Sequence, residues 1–102
     1  MLEPAEISAF SLPVGDQGAA VSGTISEISD GTATIAVAAV SGTTVTSLAA
    51  TFTATQGATV KVGSTEQTSG TTTNDYTNPV VFTVSKDGMA TTTYTVTVTV
   101  AP

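Results

Sequence analysis

The chain contains no cysteine, histidine, tryptophan or arginine. Without cysteine there is no disulfide framework and no thiolate metal site. Without histidine there is no imidazole to act as general base or metal ligand, which removes the usual Ser–His and Cys–His relays. Only Lys61 and Lys86 stand against eight carboxylates, for a net charge of −6. Two lysines cannot form a basic patch, so nucleic acid is excluded as a partner, and an anionic membrane surface is disfavoured for the same reason. Charged residues of both signs make up 10% of the chain, where about a quarter is usual. No apolar run approaches the roughly 20 residues that cross a bilayer, so membrane insertion is not expected. Met1–Glu6 has neither a basic stretch nor an apolar core and does not read as a signal peptide.

What is present is β-forming. Apolar residues make up 40% of 102 residues, enough for the core of one domain. About a fifth of the chain is threonine, which with valine fits a pleated surface. The clearest stretch is Val80–Val100. Tyr94, Val96, Val98 and Val100 alternate with Thr93, Thr95, Thr97 and Thr99, the period of a strand with one dry face and one wet face. The arm before it places Val80, Phe82 and Val84 opposite Val81, Thr83 and Ser85. Asp87-Gly88 between the arms is a strong hairpin signal.

Residues 1–6 read as a linker or expression remnant and 7–102 as a single domain. Ile7–Leu12 is a first strand with Phe10 and Leu12 on one face, ended by Pro13. Val14–Gly18 is a loop. Ala20–Ile28 is a weaker strand in which Gly23 predicts a bulge or a close backbone approach. Ser29-Asp30-Gly31 is a turn, and Thr32–Val40 a strand anchored by Ile35 and Val37. Val45–Thr55 places Leu48, Ala50, Phe52 and Ala54 on one face, and Thr59–Val62 is a short strand. Gly63–Asn78 is polar and turn-rich and reads as a long surface loop anchored by Tyr76. About seven strands with turns every 8–12 residues or so form the pattern of an antiparallel β-sandwich.

The run from Ser69-Gly70 through Asp75-Tyr76 and Asn78-Pro79-Val80 to Asp87-Gly88, closed by Tyr94-Thr95-Val96, resembles the end of cadherin-like, immunoglobulin-type Greek-key β-sandwich domains of bacterial surface proteins and lipoproteins. Ile7–Leu12 and Val45–Val60 follow the same order more loosely. Met89–Thr92 departs from it, because the link after the glycine is longer here. The resemblance implies an extracytoplasmic module, at the cell surface or secreted, whose partners are the neighbouring domains of a larger exported chain. It implies no catalytic residues. In that family the final strand runs beside the first, so Thr93–Val100 is expected to lie beside Ile7–Leu12.

No catalytic constellation is legible. A Ser–Lys pair would need a buried lysine, and Lys86 stands beside a turn. Asp16, Asp30, Asp75 and Asp87 occur at turns, where aspartate commonly bonds its own backbone. Calcium sites draw on clustered carboxylates, and these are spaced singly, so no metal and no cofactor are expected. Two readings remain: a structural spacer, and an adhesion module binding glycan or a surface protein through the 63–78 loop with Tyr76, Asn74 and Asp75. The Tyr76 ring would then be either a stacking platform or a plug in the end of the sandwich. The acidity favours a soluble monomer.

Overall fold

The computed structural model describes residues 3–102. Its strands are β1 (Ile7–Leu12), β2 (Val21–Ser22), β3 (Thr24–Ile25), β4 (Thr32–Ala39), β5 (Leu48–Ala49), β6 (Thr51–Ala54), β7 (Thr59–Val62), β8 (Thr65–Glu66), β9 (Thr73–Asn74), β10 (Val80–Ser85) and β11 (Thr92–Val100). One 3₁₀ turn, Asp16–Gly18, lies in the expected Val14–Gly18 loop. A six-stranded sheet runs in the order β3-β4-β11-β10-β7-β8. Facing it are a three-stranded sheet, β2-β1-β6, and the short pair β5-β9. The protein is an all-β sandwich. Taken as passes of the chain, β1, β2–β3, β4, β5–β6, β7, β10 and β11 are the seven full strands.

Two passes change partner partway, and in each a small residue marks the change. Gly23 separates β2, paired with β1, from β3, paired with β4. Its N–H donates to the Phe10 carbonyl at 2.7 Å, and a Cβ there would stand 2.6 Å from Ile35 Cγ2. The close approach expected at Gly23 is therefore the point where the strand crosses between layers. Ala50, buried, separates β5, paired with β9, from β6, paired with β1, a change of partner within the layer that faces the large sheet.

The last strand does not run beside the first. β11 pairs in parallel with β4, from Thr93↔Thr32 to Val100↔Ala39. Both edges of β1 are already occupied, by β2 and β6, so the edge available to β11 is that of the equally regular β4. Among the described residues this is the one parallel pair of strands, alongside the isolated parallel bridge of Pro4 with Ala90. β1 and β11 meet across the sandwich instead, where the Ile7 N–H donates to Tyr94 Oη at 3.1 Å. A register shift between Ile7 and Ala9 brings this about. The extra residue of a bulge turns Ile7 inward, so that Ile7 and Phe10 are both buried although three positions apart.

Side chains from both layers fill the core. Phe10 and Phe52 are cross-strand partners in the small sheet. Phe82 of the large sheet meets both rings edge-on, with centroids at 5.4 Å and 6.2 Å, the arrangement aromatic quadrupoles favour. Phe10 and Phe82 are buried and Phe52 half-buried. Ile35, Val37, Val84, Tyr94 and Val96 are among the other side chains of the interior. Burial of β11 fades along its length: Val98 is half-buried and Val100 exposed. Each fully buried side chain of this kind contributes roughly 1.5–3 kcal/mol.

Candidate functional sites at the two ends of the sandwich

The 63–78 segment is a fastened strap rather than a free loop. It carries β8, paired with β7, and β9, paired with β5. The Gln67 N–H donates to the Val60 carbonyl and the Gly70 N–H to the Ala50 carbonyl. Ser69 Oγ accepts the Phe52 N–H at 2.9 Å. The Tyr76 N–H donates to the Val45 carbonyl at 2.7 Å.

The three residues singled out from sequence therefore sit in different surroundings. Tyr76 is 1% exposed and belongs to the buried core, so it offers no stacking face to a sugar. Its hydroxyl is buried without a hydrogen-bond partner. Burial pushes that hydroxyl's pKa up, and nearby Asn74 offsets part of the shift without reaching bonding geometry. Asn74 is half-buried, and its amide is committed to the buried Gln67 side chain at 2.7 Å. Asp75 faces solvent. Its carboxylate accepts the Thr77 hydroxyl at 2.6 Å and the Thr77 N–H at 2.9 Å, and these bonds hold it below the usual carboxylate range. Asp75 thus serves its own turn. Among the described residues, no three acidic side chains converge as a metal-holding group.

A second locus lies at the opposite end and was not singled out from sequence. A groove of about 470 Å³ is lined by Gly57, Thr59, Ser85, Lys86, Asp87 and Thr91. Thr59 and Ser85 are register partners on adjacent strands and share the outward face. Lys86 Nζ donates to the Gln56 carbonyl at 2.7 Å. The turn at Lys86, closed by Met89 N–H to Lys86 C=O, leads into the long link after Gly88. The N-terminal segment occupies that link: Pro4 bridges Ala90, and the Ala5 N–H donates to the Ala90 carbonyl at 2.9 Å. Only the alternation of Ser85 and Thr59 with their buried neighbours was visible in the sequence. The juxtaposition of Gly57 with Lys86 depends on the pairing of β7 with β10.

The sequence matches the family described as "SGBP, N-terminal" over residues 7–98. The chain belongs to the SGBP N-terminal domain family. None of the curated proteins matches it. Solved structures similar to this SGBP N-terminal domain include the following two. One is described as a candidate glycoside hydrolase from Bacteroides thetaiotaomicron; it is 31% identical with a TM-score of 0.69, over 96% of this chain and 25% of that one. This domain therefore spans about a quarter of that relative's length. The other, described as a candidate secreted protein from Bacteroides fragilis, is 17% identical with a TM-score of 0.62, over 98% of each chain. At that identity it shows the fold alone. Among the described residues, no helix of the SGBP N-terminal domain is long and apolar enough to cross a membrane.

Proposed function

We propose that this domain is a non-catalytic, immunoglobulin-type spacer of a glycan-handling protein at the bacterial cell surface, holding neighbouring domains of a longer exported chain at a fixed distance. The observation that carries this reading is the placement of the two chain ends. The N-terminal segment is bonded at Ala90, beside the hairpin turn. The C-terminal segment leaves at the far end of the same strand, where the Ala101 N–H meets the Ala39 carbonyl. The nine residues of β11 separate the two points by about 27 Å at the usual rise of an extended chain. The molecule is elongated, 44 × 24 × 19 Å, and its long segments are fastened. A spacer needs that combination of in-line ends and no loose strap.

Membership of the SGBP family supports the association with glycan and with the cell surface. The relative described as a candidate glycoside hydrolase, about four times as long, is consistent with one module among several. Recognition through Tyr76, Asn74 and Asp75 has less support, since the ring is buried and Asn74 is committed to Gln67. Rigidity is the testable property. The chain has no cysteine, so Glu3→Cys and Ala101→Cys give two unique labelling sites. Energy transfer or spin–spin measurements should return one narrow distance, unchanged by added sugar or calcium. A broad or multimodal distribution in the folded protein would remove the spacer reading.

A further inference from the structure

The strands that carry the two chain ends run the same way. β1 starts at Ile7, whose N–H meets Tyr94 Oη near the start of β11. Two residues past the end of β1, the Val14 carbonyl accepts the Val40 N–H, at the level where β4 and β11 finish as Ala39↔Val100. The N-terminal segment therefore enters at the foot of β1, and the C-terminal segment leaves from the head of β11. Tension between the ends pulls these two strands lengthwise and in opposite directions. Each is held on both edges, β1 by β2 and β6, and β11 by β4 and β10. Ladder hydrogen bonds lie across the strands, so a lengthwise pull loads a whole ladder at once. On the β4 edge of β11 that ladder extends from Thr93↔Thr32 to Val100↔Ala39. A sideways pull would open the same ladder one bond at a time.

Two contacts also tie the oppositely pulled segments directly to each other. Ahead of β1, the Glu3 carbonyl accepts the Ala90 N–H and the Ala5 N–H donates to the Ala90 carbonyl, both at 2.9 Å. Ala5 is fully buried, so this pairing is shielded from water. Inside the core, the bond from the Ile7 N–H to Tyr94 Oη spans the layers at 3.1 Å. We propose that the domain is a load-bearing link, in which tension between its ends is resisted by simultaneous shear of β1 and β11, with the Glu3–Ala5 segment and the Tyr94 hydroxyl as clamps between them. The strap lies off this path, since its strands β8 and β9 pair with β7 and β5 and with neither terminal strand. The inference rests on the spacer reading for the existence of a load. A spacer can nevertheless keep a fixed distance at rest and yield to a small force, so the two readings fail separately.

The test is single-molecule force spectroscopy with handles on introduced cysteine pairs, which are unique because the chain has no cysteine. Glu3→Cys with Ala101→Cys pulls lengthwise on β1 and β11. Asn78→Cys with Ala101→Cys pulls sideways, because the antiparallel β10 begins at the end where β11 finishes, and both positions are exposed. Forced unfolding is governed by the unfolding barrier, so at one loading rate the lengthwise pair should require at least about twice the force of the sideways pair. Tyr94→Phe should lower the lengthwise force by a larger fraction than the sideways force, whereas a general loss of stability would lower both alike. Equal forces in the two directions, a larger sideways force, or the same fractional loss in both directions for Tyr94→Phe would overturn the proposal. Equal forces together with one narrow distance at rest would remove the load-bearing role and leave the spacer reading standing.

Discussion

At the scale of single residues the two tyrosines make opposite predictions from one kind of burial. Tyr94 Oη accepts the Ile7 N–H inside the core. Tyr94→Phe leaves that donor without a partner, a penalty of about 1–3 kcal/mol. It should appear as a lower urea midpoint with an unchanged m-value. Tyr76 Oη is buried without a partner, so Tyr76→Phe should be neutral or slightly stabilising by the same assay. A loss comparable to that of Tyr94→Phe would mean the hydroxyl is satisfied. Burial, the larger influence in both, raises both hydroxyl pKa values; for Tyr94 the Ile7 N–H opposes the rise and the charge of Glu6 adds to it. The stability that depends on each hydroxyl staying protonated, distinct from the worth of the hydroxyl itself, is fully present below the ordinary tyrosine value of about 10 and is lost as pH rises through the folded value. Tyrosine ionisation followed by absorbance should coincide with loss of the β circular-dichroism signal, not precede it. Asp75 is displaced the other way. Its contribution is present above the ordinary carboxylate range and lost as pH falls through its lowered folded value.

Secondary-structure elements were legible in the sequence where the signal is local, and not where it is set by a distant partner. β10, β11 and β4 each carry unbroken alternation, and their inward sets, Phe82 and Val84, Tyr94 and Val96, Ile35 and Val37, are buried as the pattern requires. The crossing at Gly23 and the change of partner at Ala50 were not legible, because a strand's neighbour is not encoded in its own periodicity. Nor was the bulge that turns Ile7 inward, since alternation alone assigns Ile7 to the face opposite Phe10. The parallel β4–β11 pairing depends on which edges remain open once β1 has bound β2 and β6. The Lys86 groove was missed for the same reason, as its walls come from segments distant in the chain. Gly23 allows the crossing to be tested. Gly23→Ala would drive a Cβ into Ile35 Cγ2, with an overpacking penalty of about 1–3 kcal/mol. Ile35→Ala removes the methyl it strikes. The double variant should therefore be more stable than the sum of the two single changes predicts, and additivity would show that the contact does not limit the crossing.

For the molecule as a whole, the two layers should behave as one cooperative unit, because the side chains that join them are the same ones that stabilise each. Phe82 belongs to the large sheet by its register with Val62 and Tyr94. It belongs to the small one by its edge-on contacts with Phe10 and Phe52. Phe82→Ala removes the ring from both layers at once, and a buried Phe→Ala change costs about 3–5 kcal/mol. That is a large share of the roughly 5–15 kcal/mol that holds a domain folded. The two tyrosines report on different places, Tyr94 where the layers meet and Tyr76 within the strap itself. In Tyr76→Phe and Tyr94→Phe single variants, the remaining tyrosine's fluorescence should follow a urea transition that coincides with circular dichroism. In Phe82→Ala both probes should shift together to lower denaturant. A spacer must transmit position from one end to the other, which two independently loosening layers could not do. If the strap released before the layers separated, as an early Tyr76 transition, the end of the sandwich it closes would be a hinge.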